Sequence, residues 1–198
     1  MSSEIAIVKY PHPALRHLSK PLKRVDAELR EIAARMFQLM YETKGIGLAG
    51  NQVALPYRLI VINPTGDPER KDQEFCLLNP VLSRPKGVEE MDEGCLSFPE
   101  IWAPVKRAKT IRLNAYTIQG DEVNWEADGM LARVLQHECD HLDGVVFVDR
   151  TTETEKLRIR DDLEELSIEY RQNESLGRIP SAERIAAQLA ELETLRCV

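Results

Sequence analysis

The feature that most constrains this chain is the run Gln136-His137-Glu138-Cys139-Asp140-His141, set in an otherwise apolar stretch. Met130, Leu131, Val134 and Leu135 precede it, and their spacing predicts a helix from about Asp128 to Leu142, stopped by Gly144. Residues four apart share a helix face, so the imidazoles of His137 and His141 converge on one point. Two polar rings on a helix drawn into a core need partners there, and a metal ion is the partner that HExxH provides for. Glu138, one position round from His137, reaches a water that such an ion activates without binding the ion itself.

Catalytic sites of this kind use three protein ligands and one open position. His12 and His17 lie in a Pro-containing segment that no helix register aims, and the carboxylates are too many to choose among. Cys95 stands out in Glu93-Gly94-Cys95-Leu96-Ser97, where glycine permits close backbone approach. A thiolate with two imidazoles suits zinc or ferrous iron. Cys76, Cys139 and Cys197 show no CxxC pairing and read as free thiols, Cys139 as a packing residue.

The surroundings of that helix alternate between two periods. Leu29, Ile32, Ala33, Met36, Phe37 and Met40 predict an amphipathic helix over Asp26 to Lys44, stopped by Gly45. A Gly-rich stretch, 45–53, leads into a strand at Arg58 to Ile62. Phe75 to Ser83 reads as extended around Pro80, and Met91 to Pro99 as a loop and strand edge. Arg112 to Ile118 alternates, with a hairpin turn at Gln119-Gly120-Asp121 into Glu122 to Trp125. Val145 to Asp149 reads as a short strand. From Thr151 onward the chain carries 11 acidic and 7 basic residues, with two helices marked by Leu157, Leu163, Leu166 and Tyr170, then by Ile185, Leu189, Leu192 and Leu195. The expected class is α+β: antiparallel sheets packed around a central helix carrying HExxH, as one domain over 1–150, with an acidic helical C-terminal extension over 151–198.

Composition removes other classes. A net charge of −7 and 6% aromatic residues make a poor binder of phosphate backbones, so DNA is not an expected partner. No apolar run is long enough to cross a bilayer, so no membrane is expected. The opening MSSEIAIVKYPHPALRHL has neither the pattern of a secretory signal nor that of a transit peptide, and the expected compartment is the cytoplasm.

Three segments in order, Gly45–Gln52 (GIGLAGNQ), Glu93–Ser97 (EGCLS) and Gln136–His141 (QHECDH), resemble the signature motifs of the peptide deformylases. The opening VKYPHPALR and the flanking ARVLQHECDHLDG resemble that family too, so the likeness spans about residues 5 to 150. It implies removal of the N-formyl group from nascent formyl-methionyl peptides, with the ribosome as an open question of partnership. It also implies one divalent ion per chain on Cys95, His137 and His141, ferrous iron first, with Zn2+, Ni2+ or Co2+ as alternatives. Glu138 matches the family's general acid/base. Gln52 matches its side-chain oxyanion donor and the Leu96 backbone N–H the second donor. Gly47 falls where a backbone carbonyl meets the substrate.

An unbranched apolar pocket would receive the methionine. Ile46, Gly94, Met130, Arg133 and Val134 are placed around it, with Met130 and Val134 equally readable as core and Arg133 as a solvated charge. Glu93 and Asp140 are candidate acceptors for the second imidazole N–H, with Asp140 better read as solvated. Two departures from the family pattern stand out. Gly50 replaces the second alanine of the first motif, which is expected to loosen the loop that aims Gln52. The acidic extension argues against docking on ribosomal RNA through a basic helix. A zinc peptidase of the HExxH type is the competing enzyme, with Glu165 or Glu169 as its third ligand. A non-catalytic ribosome-associated homologue is the competing binding protein.

Overall fold

The computed structural model describes residues 5–198; residues 1–4 of the expected 1–150 span lie outside the described residues. It is an α+β fold. Strands β1 (Gly47–Ala49), β2 (Leu59–Ile62), β3 (Phe75–Lys86), β6 (Thr110–Thr117) and β7 (Glu122–Asp128) form an antiparallel sheet in the order β1-β2-β3-β6-β7. Strands β4 (Glu89–Cys95) and β5 (Phe98–Arg107) form a separate antiparallel hairpin.

Helix α1 (Ala27–Glu42) and helix α2 (Gly129–Leu142) cover opposite faces of the larger sheet. The alternation in β2 makes this plain: Leu59 and Val61 pack with Leu29, Met36 and Met40, while Ile60 and Ile62 pack with Ala132, Leu135 and Leu142. A strand covered on both faces is apolar at every position, as Leu-Ile-Val-Ile is. Helix α1 starts where Asp26 accepts from Leu29 N–H at 2.9 Å. It ends two residues earlier than its periodicity predicts, and Lys44 rather than Gly45 takes the left-handed turn, at φ 57°. Pro80, in an interior strand, sits at a register shift between Leu78 and Val81.

Two expectations need correction. Val145–Asp149 is not a strand: Phe147–Arg150 is a short helix, α3, whose Asp149 carboxylate accepts from Val146 N–H at 2.9 Å. Val146, Phe147 and Val148 are buried with Phe98, Ile101 and Val105 of β5, and a short apolar run satisfies either structure equally well. The segment called a loop and strand edge, Met91–Pro99, is the tip of the β4–β5 hairpin, which alternation along β5 extends to Arg107.

The chain continues through α4 (Glu153–Arg158), α5 (Arg160–Ser175) and α6 (Ala182–Arg196). Ile159, Leu163 and Leu166 join the β5–α3 cluster, and Ile185 and Leu189 of α6 close over Ala14 in the 3-10 turn Pro13–Arg16.

Gly144 and Gly177 both adopt left-handed backbone, at φ 71° and 69°, but only at Gly144 would a Cβ meet backbone, 2.7 Å from the Arg16 carbonyl oxygen. Gly177→Ala is therefore expected to cost about 1 kcal/mol from its conformation alone, and Gly144→Ala about 3 kcal/mol or more in urea unfolding. Equal losses would mean that the α2–Arg16 approach is not tight.

Candidate functional site

Two elements bring the candidate ligands together. Helix α2 presents His137 and His141 with ring centroids 5.0 Å apart. Strand β4 delivers Cys95 through a register shift between Gly94 and Cys95, where Gly94 pairs with Trp102 but Cys95 with Phe98. A bulge of this kind turns the side chain away from the regular pleat. The ligand atoms of Cys95, His137 and His141 all lie within 4.8 Å of one another, with Cys95 Sγ 3.3 Å from His141 Nε2.

The donor set fits a divalent ion. Burial, and then the neighbouring His137, hold His141 well below the ordinary imidazole range, so its ring is neutral and has a lone pair to offer. His141 Nδ1 is buried without a hydrogen-bond partner among the described residues. Burial lowers the affinity of His137 for a proton, but Cys95 and Glu93 outweigh it and push the ring up to about 10. An ion would take the place of that proton between ring and sulfur. His137 Nδ1–H donates to Glu93 Oε2 at 3.0 Å, which leaves Nε2 for the cluster.

Glu93 is not an isolated acceptor. Arg107 grips it with two bonds at 3.0 Å, and Arg133 Nη1 reaches it at 2.6 Å. Burial alone would raise this carboxyl, but His137 and Arg107 hold it down to about 2. Arg107 also pairs with Asp140, which Arg150 binds at 2.6 Å and 3.1 Å. Two expectations therefore change. Asp140 is buried between two guanidiniums, not solvated. Arg133 is neither solvated nor a free stem: it is buried, and it also donates to the carbonyls of Val105 and Glu89. Helical spacing puts Arg133, His137 and Asp140 on one stripe, and only an acidic and basic lining on the facing hairpin lets that stripe be buried.

Glu138 is buried beside the cluster, and its Oε2 has no hydrogen-bond partner among the described residues. Burial pushes its carboxyl up to about 7, against the opposing pull of His137 and Arg107. The carboxylate lies so close to β1 that a Cβ on Gly47 would fall on its Oε1 and 2.9 Å from Val134 Cγ1. Gln52 belongs to the buried 3-10 turn Gly50–Val53. Its Oε1 accepts from Ala49 N–H at 2.8 Å, which turns Nε2 toward Cys95 Sγ and Ser97 Oγ, both at 3.4 Å. Gly50 does not loosen this turn. A Cβ there would sit 2.7 Å from the Tyr57 carbonyl, so glycine lets the Leu55–Tyr57 backbone close against it.

These groups open onto a cleft of about 990 Å³. Of the residues named from sequence, Ile46, Gly47, Gln52, Gly94, Cys95, Leu96, Met130, Arg133, Val134, His137 and Glu138 line it, and His141 lies behind. Val134 is buried, while Met130 is 42% exposed at the rim. Sequence reasoning missed Trp102, 59% exposed on the cleft wall with its ring against Gly94, and Arg107 beneath the site. Arg107 was detectable: it continues the inward series Ile101, Ala103, Val105 at period two, so a charge falls on a buried face and requires a carboxylate.

Comparisons with known proteins bear on the family of the chain. The family model described as polypeptide deformylase matches residues 5–157. A peptide deformylase of Rhodopirellula baltica is 46% identical over 191 residues, covering 96% of this chain and 94% of the relative. Peptide deformylase 1B of Arabidopsis thaliana, a chloroplastic/mitochondrial protein, is 40% identical over 93% of this chain and 66% of its own length. Among solved structures, a plant peptide deformylase superposes with a TM-score of 0.84 at 38% identity, covering 92% of this chain and 97% of that one. A peptide deformylase from Plasmodium falciparum gives 0.82 at 36% identity over 84% and 98%. With a family model spanning most of its length and full-length relatives at this identity, the chain belongs to the polypeptide deformylase family.

Proposed function

We infer that this chain is a peptide deformylase, a metal-dependent hydrolase that removes the N-formyl group from the N-terminal formylmethionine of nascent polypeptides and releases formate. The observation that carries this reading is the meeting of Cys95, His137 and His141 beside a buried carboxylate, Glu138, that has an oxygen without a hydrogen-bond partner among the described residues. One thiolate and two imidazoles are the ligands that would hold the ion, ferrous iron by preference, with zinc, nickel or cobalt compatible with the same donors. When bound, it supplies Lewis-acid polarisation of the formyl oxygen and acidifies water.

The chain's own groups supply the rest. The methionine side chain enters the apolar part of the cleft formed by Ile46, Val134 and Met130. Glu138 takes one proton as the water oxygen adds to the formyl carbon. Gln52 Nε2–H and the Leu96 N–H donate to the oxyanion that develops, the former aimed by the Ala49 N–H on its carbonyl. Glu138 then returns the proton to the amine nitrogen as the C–N bond breaks, so formate and a free α-amine leave. Glu93 and its arginines keep His137 in the tautomer and orientation that the ion requires.

Among the described residues no helix is long and apolar enough to cross a membrane. A cytoplasmic location, without DNA or membrane as partner, rests on the charge and the opening segment of the sequence. Residues 151–198, net acidic and packed on the body through Ile185 and Leu189, favour no contact with ribosomal RNA.

Four measurements test this reading. Anaerobically prepared protein should hold one divalent ion and release formate from a formyl-Met peptide. Glu138→Gln should keep the ion and lose activity by at least about 100-fold, the scale of a general acid/base; undiminished turnover would remove Glu138 from the mechanism. Cys95→Ala should lose the ion, whereas an HExxH peptidase with a downstream glutamate would retain it. Arg107→Met should cost about 3 kcal/mol in urea unfolding, because Glu93 keeps Arg133 and Asp140 keeps Arg150 but the two lose the guanidinium they share. A loss below about 1 kcal/mol would make the guanidinium dispensable.

A further inference from the structure

The Gln52 amide is only as well aimed as the turn that carries it, and that turn is held from outside the cleft. Asn51, its neighbour, is 1% exposed. Asn51 Nδ2 donates to the carbonyls of Ala14 at 3.1 Å and His17 at 2.6 Å, and Oδ1 accepts from Ser19 Oγ at 2.6 Å. Three hydrogen bonds from one buried side chain to one segment fix both distance and angle, which apolar packing alone does not.

That segment is pinned in turn by α6. Ile185 and Leu189 close over Ala14, and Ala54 packs against the same cluster. His17 Nε2 lies 2.7 Å from Glu193 Oε1. The end of the helix is tied down where Lys23 N–H donates to the Arg196 carbonyl at 3.0 Å and Arg196 Nη1 binds Asp26 at 2.8 Å. Helix α6 thus touches both the segment that Asn51 grips and Ala54, the left-handed residue at φ 55° that ends the Gln52 turn.

We propose that Asn51 and helix α6 position Gln52: α6 seats the Pro13–Arg16 turn, that turn holds Asn51, and Asn51 fixes the amide of Gln52 toward Cys95. The proposal rests on the oxyanion role given to Gln52 above. Asn51, Ile185 and Leu189 touch no reacting atom and are positioning residues. Misplacing a reacting group by about 1 Å costs about 100-fold in rate, so a small tilt of this turn has a large effect.

The test is a double-mutant cycle in the full-length, metal-loaded enzyme. Asn51→Ala and the pair Ile185→Ala/Leu189→Ala are each made alone and together with Gln52→Ala, and formate release, metal content and unfolding are measured. Asn51→Ala is expected to lower kcat by about 10- to 100-fold with KM changed by less than about twofold, and the α6 pair to lower it by about tenfold, both with full metal content. In the Gln52→Ala background neither change should lower kcat further, because the group they aim is gone. Equal fold-losses in both backgrounds, or unchanged kcat in the α6 pair, would overturn the proposal while leaving the deformylase reading intact. Should Asn51→Ala fail to fold, the α6 pair decides by the same comparison. Wild-type kcat in Gln52→Ala itself would remove the oxyanion role and this proposal together, and an absence of formate release from the wild type would remove the activity.

Discussion

The site hangs on the Glu93 carboxylate. It lies two residues before Cys95 on β4, accepts from His137 of α2, and is gripped by Arg107 of β5 and Arg133 of α2. Thiol and imidazole are therefore referred to the same group, and the hairpin cannot slide along the helix without breaking several charge-assisted bonds at once. A carboxylate buried alone would cost several kcal/mol, which two guanidiniums and a ring N–H offset. Arg107 also binds Asp140, which binds Arg150, so the alternating charges lead from beneath the site to a half-exposed guanidinium and the network ends at the surface and not in the core.

The parts of the fold that were legible from the residues are those with a strong period or a fixed offset. Helix α1 is marked by its apolar stripe, and α2 by the four-residue separation of His137 and His141. Strands β6 and β7 are marked by alternation and a turn. The β4–β5 hairpin was legible only as a loop and strand edge at its tip, because β4 carries Glu89, Glu90, Asp92 and Glu93 and shows no apolar alternation. Its inward carboxylate makes sense only once Arg107 and Arg133 are seen facing it. Helix α3 failed for the opposite reason: Val145 to Val148 has apolar residues at every position, and no period separates strand from helix over four residues.

Within the site, residue types were legible and environments were not. The three ligand positions and Glu138 stand out by chemistry, whereas the burial of Arg133 and Asp140 depends on what the hairpin places opposite them. The glycines show the same asymmetry. Gly94 was read as a place of close backbone approach and Gly47 as one where a backbone carbonyl meets the substrate; in the fold the Trp102 ring lies against the first and the Glu138 carboxylate against the second. Gly50 was read as a source of looseness. Its neighbours, the carbonyls of Tyr57 and Leu55, lie several residues away and turn the missing Cβ into a tight contact.

Why the protein retains so many buried charges follows from what apolar groups cannot do. Well-packed hydrophobic residues in place of Glu93, Arg107 and Arg133 would be about as stable as the ion network, or more so. They would not select one imidazole tautomer, nor fix the ring about its Cβ bond, because dispersion contacts are nearly indifferent to rotations of a few degrees. Directional bonds to a carboxylate are not. The same logic applies on the other side of the cleft, where the Gln52 amide is oriented by the Ala49 N–H and its turn by the three bonds of Asn51. His137 and the Gln52 turn therefore each rest on a buried hydrogen-bonding side chain, Glu93 for one and Asn51 for the other, and the apolar core of the two sheets and helices serves to keep those intermediaries dry.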